Sequence, residues 1–214
     1  MKKALFITLG FDEKFAIRAL MRHKLEEGDT LVVLTAKPII DRVEKALSSI
    51  KGFITSYSKG VRVKIVEVPV REVVEAVALV KETLEKYSGH QIILNVSGGM
   101  RALVVEMCIG AALSSVGFKL ELETEDSSAY LEFPTELLRV HRILYSMTDT
   151  KKSILQTILE KNSPVTVREL AEELGRDPST LRRHLYKLIE LGFVRVVKRK
   201  PLTVEASSLL KTFF

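Results

Sequence analysis

Cysteine is nearly missing from this chain of 214 residues, with Cys108 the single example. An intrachain disulfide and a cysteine-based zinc site are thereby excluded. Cys108 sits in an apolar stretch, where a free thiol serves as a small core residue. Long hydrophobic runs are missing as well, and none approaches the ~20 apolar residues that a membrane span needs. The opening MKKALFITLG has the look of a signal peptide. Its apolar run stops at Gly10, however, and Asp12, Glu13 and Lys14 follow, so it reads as a first strand. Internal repeats and low-complexity tracts are absent too. What remains, 46% hydrophobic and 28% charged residues, is the composition of a soluble globular protein, expected in the cytoplasm.

The net charge of +6 is unevenly spread. Residues 1–150 hold 20 Lys/Arg against 20 Asp/Glu, whereas residues 151–214 hold 13 against 7. All of the excess positive charge therefore lies in the last third, which points to a polyanionic partner for that part alone. A length of 214 residues accommodates one ordinary domain and a small second one.

Up to Pro134, short apolar runs alternate with amphipathic stretches. Strands are expected at Ala4 to Leu9, Thr30 to Thr35, Val61 to Val66, Gln91 to Val96 and Phe118 to Glu123. A sixth, antiparallel strand is expected at Ala129 to Phe133, after a hairpin turn at Glu125-Asp126-Ser127. Helices should fill the gaps: Glu13 to Glu26 capped by Asp12, one after Lys37-Pro38 running to about Ser56, Val70 to Lys86, and Met100 to Ser115. Alternation of this kind means a doubly wound, Rossmann-like α/β sheet of about five parallel strands plus one antiparallel strand. In the order 3-2-1-4-5, strands 1 and 4 flank the switch point, outside whose carboxyl ends ligands bind. The loops Thr8-Leu9-Gly10-Phe11 and Asn95-Val96-Ser97-Gly98-Gly99 follow those two strands and would converge on one crevice. Glycines allow close backbone approach, and the helix starting near Met100 offers free N–H groups to an anion. Asn95, Ser97 and Arg101 add donors suited to phosphate, ribose or base edges. The two loops together make a candidate anion or nucleotide site.

Thr135 to Met147 reads as a connecting helix. From Lys151 the pattern is that of a small winged helix-turn-helix. Ile154, Leu155, Ile158 and Leu159 have core spacing in a first helix, and Ser163 to Thr166 forms a turn into a second helix, Val167 to Leu174. Asp177 caps a third helix with Pro178 at its first position. That helix buries Leu181, Leu185 and Leu188 and presents Ser179, Thr180, Arg182, Arg183, Tyr186 and Lys187. A hairpin, Phe193 to Val197 with Leu202 to Val204, would turn around Lys198-Arg199-Lys200. A helix fits the DNA major groove, and a basic wing suits phosphate or the minor groove. The alternative for the same face is a solvated surface used for protein contacts. His184 has no evident metal or catalytic partner. The tail from Glu205 to Phe214 is expected to be helical, with Leu209, Leu210, Phe213 and Phe214 for packing or a dimer seam. The domains are thus expected at 1–134, with a connecting segment at 135–150, and at 151–214.

TLGFDEKF after strand 1, NVSGGMRAL after strand 4 and PSTLRRHLYKLIELGFV, in that order along the chain, resemble a known family. It comprises the archaeal CRISPR-associated transcription regulators that join a CARF (CRISPR-associated Rossmann fold) domain to a winged helix-turn-helix. The resemblance implies a homodimer whose two CARF domains form a symmetric pocket for a cyclic oligoadenylate, with cyclic tetra-adenylate as regulatory ligand. The family's ligand loops fall on Thr8, Leu9, Gly10 and Phe11, and on Asn95, Ser97, Gly98, Gly99, Met100 and Arg101, with the loop after strand 2, around Ala36, Lys37 and Pro38, adding contacts. No metal, cofactor or catalytic residue is expected, and double-stranded DNA with a palindromic promoter is the expected partner of the second domain. Half-sites one helical turn apart, about 34 Å, are the geometric expectation. A second reading is enzymatic, since some CARF domains cleave their ligand as ring nucleases, although no dedicated general base stands out here. An NAD-type enzyme is disfavoured. The first loop lacks GxGxxG, and Thr35-Ala36-Lys37 stands where an acidic ribose ligand would follow strand 2. Sensing of another small anion is a further alternative.

Overall fold

The computed structural model describes residues 1–57 and 60–212. The chain divides into two compact units, Met1–Leu138 and the segment from Arg139 onward. The first unit runs β1 (Lys3–Leu9), α1 (Lys14–His23), β2 (Thr30–Ala36), α2 (Asp41–Tyr57), β3 (Arg62–Val68), α3 (Val73–Glu85), β4 (Gln91–Asn95), α4 (Arg101–Leu113), β5 (Phe118–Glu123) and β6 (Tyr130–Phe133). Its sheet has the order β3-β2-β1-β4-β5-β6. The first five strands are parallel, and β6 pairs antiparallel with β5.

Both faces of the central strands are buried, which is why β1, β2 and β4 read as continuous apolar runs. Phe6, Val32 and Leu94 join a core with Val80 of α3 and Leu103 and Met107 of α4. Leu5, Val33 and Ile93 join a second one with Ala19 and Leu20 of α1 and Ile50 of α2. Period-two alternation sends neighbouring residues of one strand to opposite layers.

Element ends differ from the sequence expectation in physically explicable ways. Helix α1 stops at His23 rather than Glu26, because Lys24 turns left-handed (φ 44°) and donates its N–H back to the Leu20 carbonyl. Glu13, not Asp12, holds its cap position, while Asp12 Oδ1 accepts the Lys14 N–H at 2.9 Å. Helices α2 and α3 begin at Asp41 and Val73, a few residues after Pro38 and Pro69; before α3 the chain first makes a turn in which the Glu72 N–H donates to the Pro69 carbonyl at 2.9 Å.

Helix α5 (Glu136–Tyr145) crosses the division. Its Leu138 packs on the first core, and Val140 and Ile143 pack on the core of the second unit. The second unit continues with α6 (Asp149–Lys161), β7 (Val165–Thr166), α7 (Val167–Leu174), α8 (Pro178–Glu190), β8 (Val194–Arg199), β9 (Leu202–Ala206) and α9 (Ser208–Lys211). Strands β7, β9 and β8 form a small antiparallel sheet beside the helices, the wing. The segment expected as a plain turn, Ser163 to Thr166, therefore supplies a two-residue strand. Likewise Glu205 and Ala206 complete β9 rather than starting a helix, and α9 is only four residues long. Leu209 and Leu210 pack on the core, whereas Phe213 and Phe214 lie outside the described residues. No helix among the described residues is long and apolar enough to cross a membrane.

Candidate functional site

Strands β1 and β4 are hydrogen-bonded neighbours in parallel, so the loops that follow them leave the sheet at the same end. They do not merely approach; their backbones touch. A β-carbon on Gly99 would lie 3.0 Å from Thr8 Cβ and 3.2 Å from the Thr8 carbonyl carbon, and Gly99 itself has φ +90°. The Thr8 hydroxyl donates to the Gly98 carbonyl at 2.6 Å. A glycine is required here twice over, for conformation and for space.

Above this contact opens a cleft of about 510 Å³. Its apolar side comes from Leu9, Phe11, Phe15, Val43 and Met100, and its polar side from Ser97 and the peptides of Gly10, Gly98 and Gly99, of which Gly99 is exposed. Phe11 and Met100 are largely exposed, and the Arg42 guanidinium lies 5.2 Å from the Phe11 ring centroid. Met100 takes the cap position of α4 without any side-chain bond to the first N–H groups, which leaves the helix N-terminus open. The rim carries Asp12 and Glu125 as well as Lys14.

The cleft brings together Leu9, Gly10, Phe11, Ser97, Gly98, Gly99 and Met100 from the expected set. Thr8 lies beneath it, buried, as the clamp on Gly98. Lys37 and Arg101 are exposed and stand outside its walls. Asn95 is elsewhere too: it is buried, its amide donates to Glu121 Oε1 at 2.7 Å, and its oxygen accepts the Ser97 N–H at 3.2 Å. Residue reasoning did not single out Thr35, Phe15, Val43 or Arg42. Thr35 is 1% exposed, and its Oγ1 has no hydrogen-bond partner among the described residues. Its place was readable, since β2 neighbours β1 and Thr35 stands in register with Leu9. No group of three or more His, Cys, Asp or Glu among the described residues is arranged to hold a metal ion.

In the second unit, Asp177 caps α8, accepting from the Ser179 and Thr180 N–H groups at 2.9 and 3.1 Å. Those bonds, led by the Ser179 hydroxyl, hold its carboxyl below the ordinary value. Gly175, left-handed at φ 58°, ends α7 and lets the chain turn sharply into α8. Leu181, Leu185 and Leu188 are buried, while Ser179, Arg182, Arg183, Tyr186 and Lys187 are exposed and Thr180 is half-buried. Lys187 is paired with Glu190 at 2.9 Å. Lys198 and Arg199 belong to β8 rather than to the tip, which is Lys200-Pro201, and all three cations are exposed. Arg182, the start of α8 at Pro178, and Pro201 at the wing tip line one groove together with Arg168, a cation not anticipated from the pattern. Arg168 pairs with Glu172 at 3.0 Å, and Arg195 is tied to Glu205 across the wing.

The sequence profile of the Csa3 CRISPR-associated Rossmann-like domain matches residues 3–134, more than half of the chain. The chain belongs to the Csa3 family. Residues 153–198 also match the IclR helix-turn-helix domain. A Csa3 Rossmann-like domain joined to a helix-turn-helix makes this a CRISPR-associated DNA-binding regulator. The chain is 24% identical over 208 residues to the CRISPR locus-related Csa3 protein of Saccharolobus solfataricus, whose name assigns it provisionally to DNA binding. That match covers 97% of this chain and 85% of the relative. The Thermoproteus tenax Csa3 protein, named in the same terms, is 25% identical over 194 residues, covering 88% and 84%. Among solved structures, Enterococcus italicus Csm6 bound to cyclic hexa-2'-fluoro-hexa-dAMP superposes with a TM-score of 0.54 at 11% identity. It covers 88% of this chain and 55% of that one, a likeness of fold.

Proposed function

We propose that this Csa3-family regulator is a homodimer that senses a cyclic oligoadenylate, cyclic tetra-adenylate, in the cleft above Thr8 and Gly99 and transmits its occupancy to promoter DNA. The observation that carries the reading is the cleft's composition. It has an aromatic and aliphatic side suited to purine bases, and beside it glycine peptides and an uncapped helix N-terminus suited to phosphates. Csm6, part of which has a like fold, is bound to a cyclic adenylate analogue, in keeping with this chemistry.

A two-fold ligand asks for a two-fold protein. Helix α4, which starts at the cleft, is apolar nearly all round, and a helix of that kind is normally covered on every side. Its outward stripe of Val105, Ile109 and Leu113 is 56%, 41% and 56% exposed. Leu131 and Phe133 of the edge strand β6 are exposed as well. A second copy packed along α4 would cover the stripe and set two clefts side by side.

On the DNA side, Ser179, Thr180, Arg182, Arg183 and Tyr186 are assigned to the major groove, and Lys198, Arg199 and Lys200 to the backbone, with Lys187 in a flanking role. Arg101 and Lys37, outside the cleft of one chain, are available to a ligand that spans two. The cleft binds rather than cuts. A typical allosteric coupling of ~1–3 kcal/mol would change operator affinity about 5- to 150-fold. Fluorescence anisotropy of promoter DNA, with and without cyclic tetra-adenylate, tests the reading. Absence of ligand binding in calorimetry removes its sensing half.

A further inference from the structure

The α1 face of the sheet changes character from β1 to β5. Under α1 and α2 it is apolar, with Leu5, Ile7 and Ile93. At the carboxyl end of β4, Asn95 stands in register with Glu121 of β5, and there the same face becomes a polar and charged cluster. Glu121 is 1% exposed. Its carboxylate accepts from Asn95 Nδ2 at 2.7 Å, from His23 Nε2 at 2.8 Å and from the Tyr130 hydroxyl at 2.5 Å. Two residues on, Glu123 accepts from Arg18 at 2.5 Å and Arg22 at 2.8 Å. The Arg22 guanidinium also lies 4.1 Å from the Tyr130 ring centroid.

A buried carboxylate with this many donors is costly to assemble, and apolar residues of similar size would join α1 to β5 at least as well. What the ionic version adds is direction. Through Asn95, Glu121 reaches the peptide N–H of Ser97; through its own backbone N–H, Glu123 reaches Ser97 Oγ at 2.8 Å. Both bonds land on the first residue of the glycine turn, whose Gly98 carbonyl is held from the other side by Thr8.

We propose that Glu121 is a positioning residue for the cleft: fixed by His23 of α1 and Tyr130 of β6, it orients Asn95 and thereby sets the Ser97-Gly98-Gly99 turn in its binding conformation. Asn95 then serves behind the turn rather than on the ligand. The assignment rests on the ligand reading above only for its affinity arm.

The test compares wild type with Glu121→Gln, Asn95→Ala, the double variant, and Tyr130→Phe as a milder lesion that removes one donor and keeps the ring. Two readouts are taken: amide hydrogen exchange across the intact chain, and the Kd for cyclic tetra-adenylate. Exchange at Ser97 and Gly98 should quicken in each variant while amides of β2 keep their protection. The Kd should rise about tenfold in Glu121→Gln, the order expected for losing a hydrogen bond to a charged group. The double variant should bind no worse than Asn95→Ala alone, because the two act in series. Turn exchange unchanged in folded variants, or additive losses in affinity, would overturn the proposal. If the turn loosens but wild type binds no cyclic tetra-adenylate, the positioning role stands and the ligand reading falls.

Discussion

Gly99 and Thr8 stand so close that a single methyl group on Gly99 would sit 3.0 Å from the Thr8 β-carbon, with Thr8 backbone next behind it. Two parallel strands therefore meet above the sheet through their loops, and nothing larger than hydrogen fits between them. Gly99→Ala would meet both a steric and a conformational penalty, the second from φ +90°. The expected cost is roughly 1–3 kcal/mol in the unfolding of the first unit. Chemical denaturation of wild type and variant measures it, and an unchanged midpoint would mean that the loops part easily.

Thr35 makes the opposite prediction. Its hydroxyl is buried at the cleft without a partner among the described residues. A buried hydroxyl that makes no bond destabilises the free protein. Thr35→Val keeps the shape, so thermal stability should hold or rise slightly. If a bound base satisfies that hydroxyl, affinity for cyclic tetra-adenylate should fall about tenfold in the same variant. Calorimetry beside a thermal melt reads both, and equal affinity would take Thr35 out of the site.

Acid should act on the first unit through β5. Burial pushes the Glu121 carboxyl up, but hydrogen bonds from His23, Asn95 and Tyr130 outweigh it and leave its pKa below the ordinary 4.5. At Glu123 burial again acts upward and is outweighed by Arg22 and Arg18. A folded-state pKa below the unfolded one means that the unfolded chain binds more protons in acid. The stabilisation is thus fully present above about pH 5 and is lost as pH falls through the folded-state values. Melting temperatures from pH 7 to 3 should be level and then drop. Glu121→Gln should start lower at pH 7 and drop less steeply, and a parallel curve would refute the assignment.

For DNA, Arg182 and Lys200 should separate two kinds of contact. Arg182 lines one groove with the start of α8 and the wing tip, and the N-terminal part of a recognition helix is what meets base edges. Arg182→Ala should weaken promoter binding by ~1–3 kcal/mol and relax base preference. Lys200→Ala should weaken all sequences alike and reduce the slope of log affinity against log salt by about one. Anisotropy titrations over a salt series, on promoter and scrambled duplexes, distinguish them. A sequence-independent loss from Arg182→Ala would move that residue to the phosphates.

The regular parts of the fold were legible because they depend on local pattern. Period-two and continuous apolar runs mark β1, β2 and β4, and alternation with helices implies parallel strands; that β1 and β4 are neighbours was an assumed order, which the structure bears out. The α8 cap was legible too, since Asp177-Pro178 carries its own signal. Strand β7 was not: two residues have no periodicity, and Val165–Thr166 are a strand only because β9 lies beside them. Asn95 was visible as a polar residue at a strand end, but its use was not, because Glu121 is 26 residues away.

By itself, the chain's order of residues determined the division of labour: a neutral α/β part with two glycine loops after strands 1 and 4, and a basic winged helix after it. Those features are local, written in hydropathy period, turn chemistry and charge. The tertiary structure alone decided which side chains face the cleft and which stand behind it. It left Arg101 and Lys37 outside, turned Asn95 toward Glu121, and brought Thr35, Phe15 and Arg42 to the site. Sequence spacing sets which strand carries a residue; the register between strands and the helix packed above it set where its polar atoms find partners.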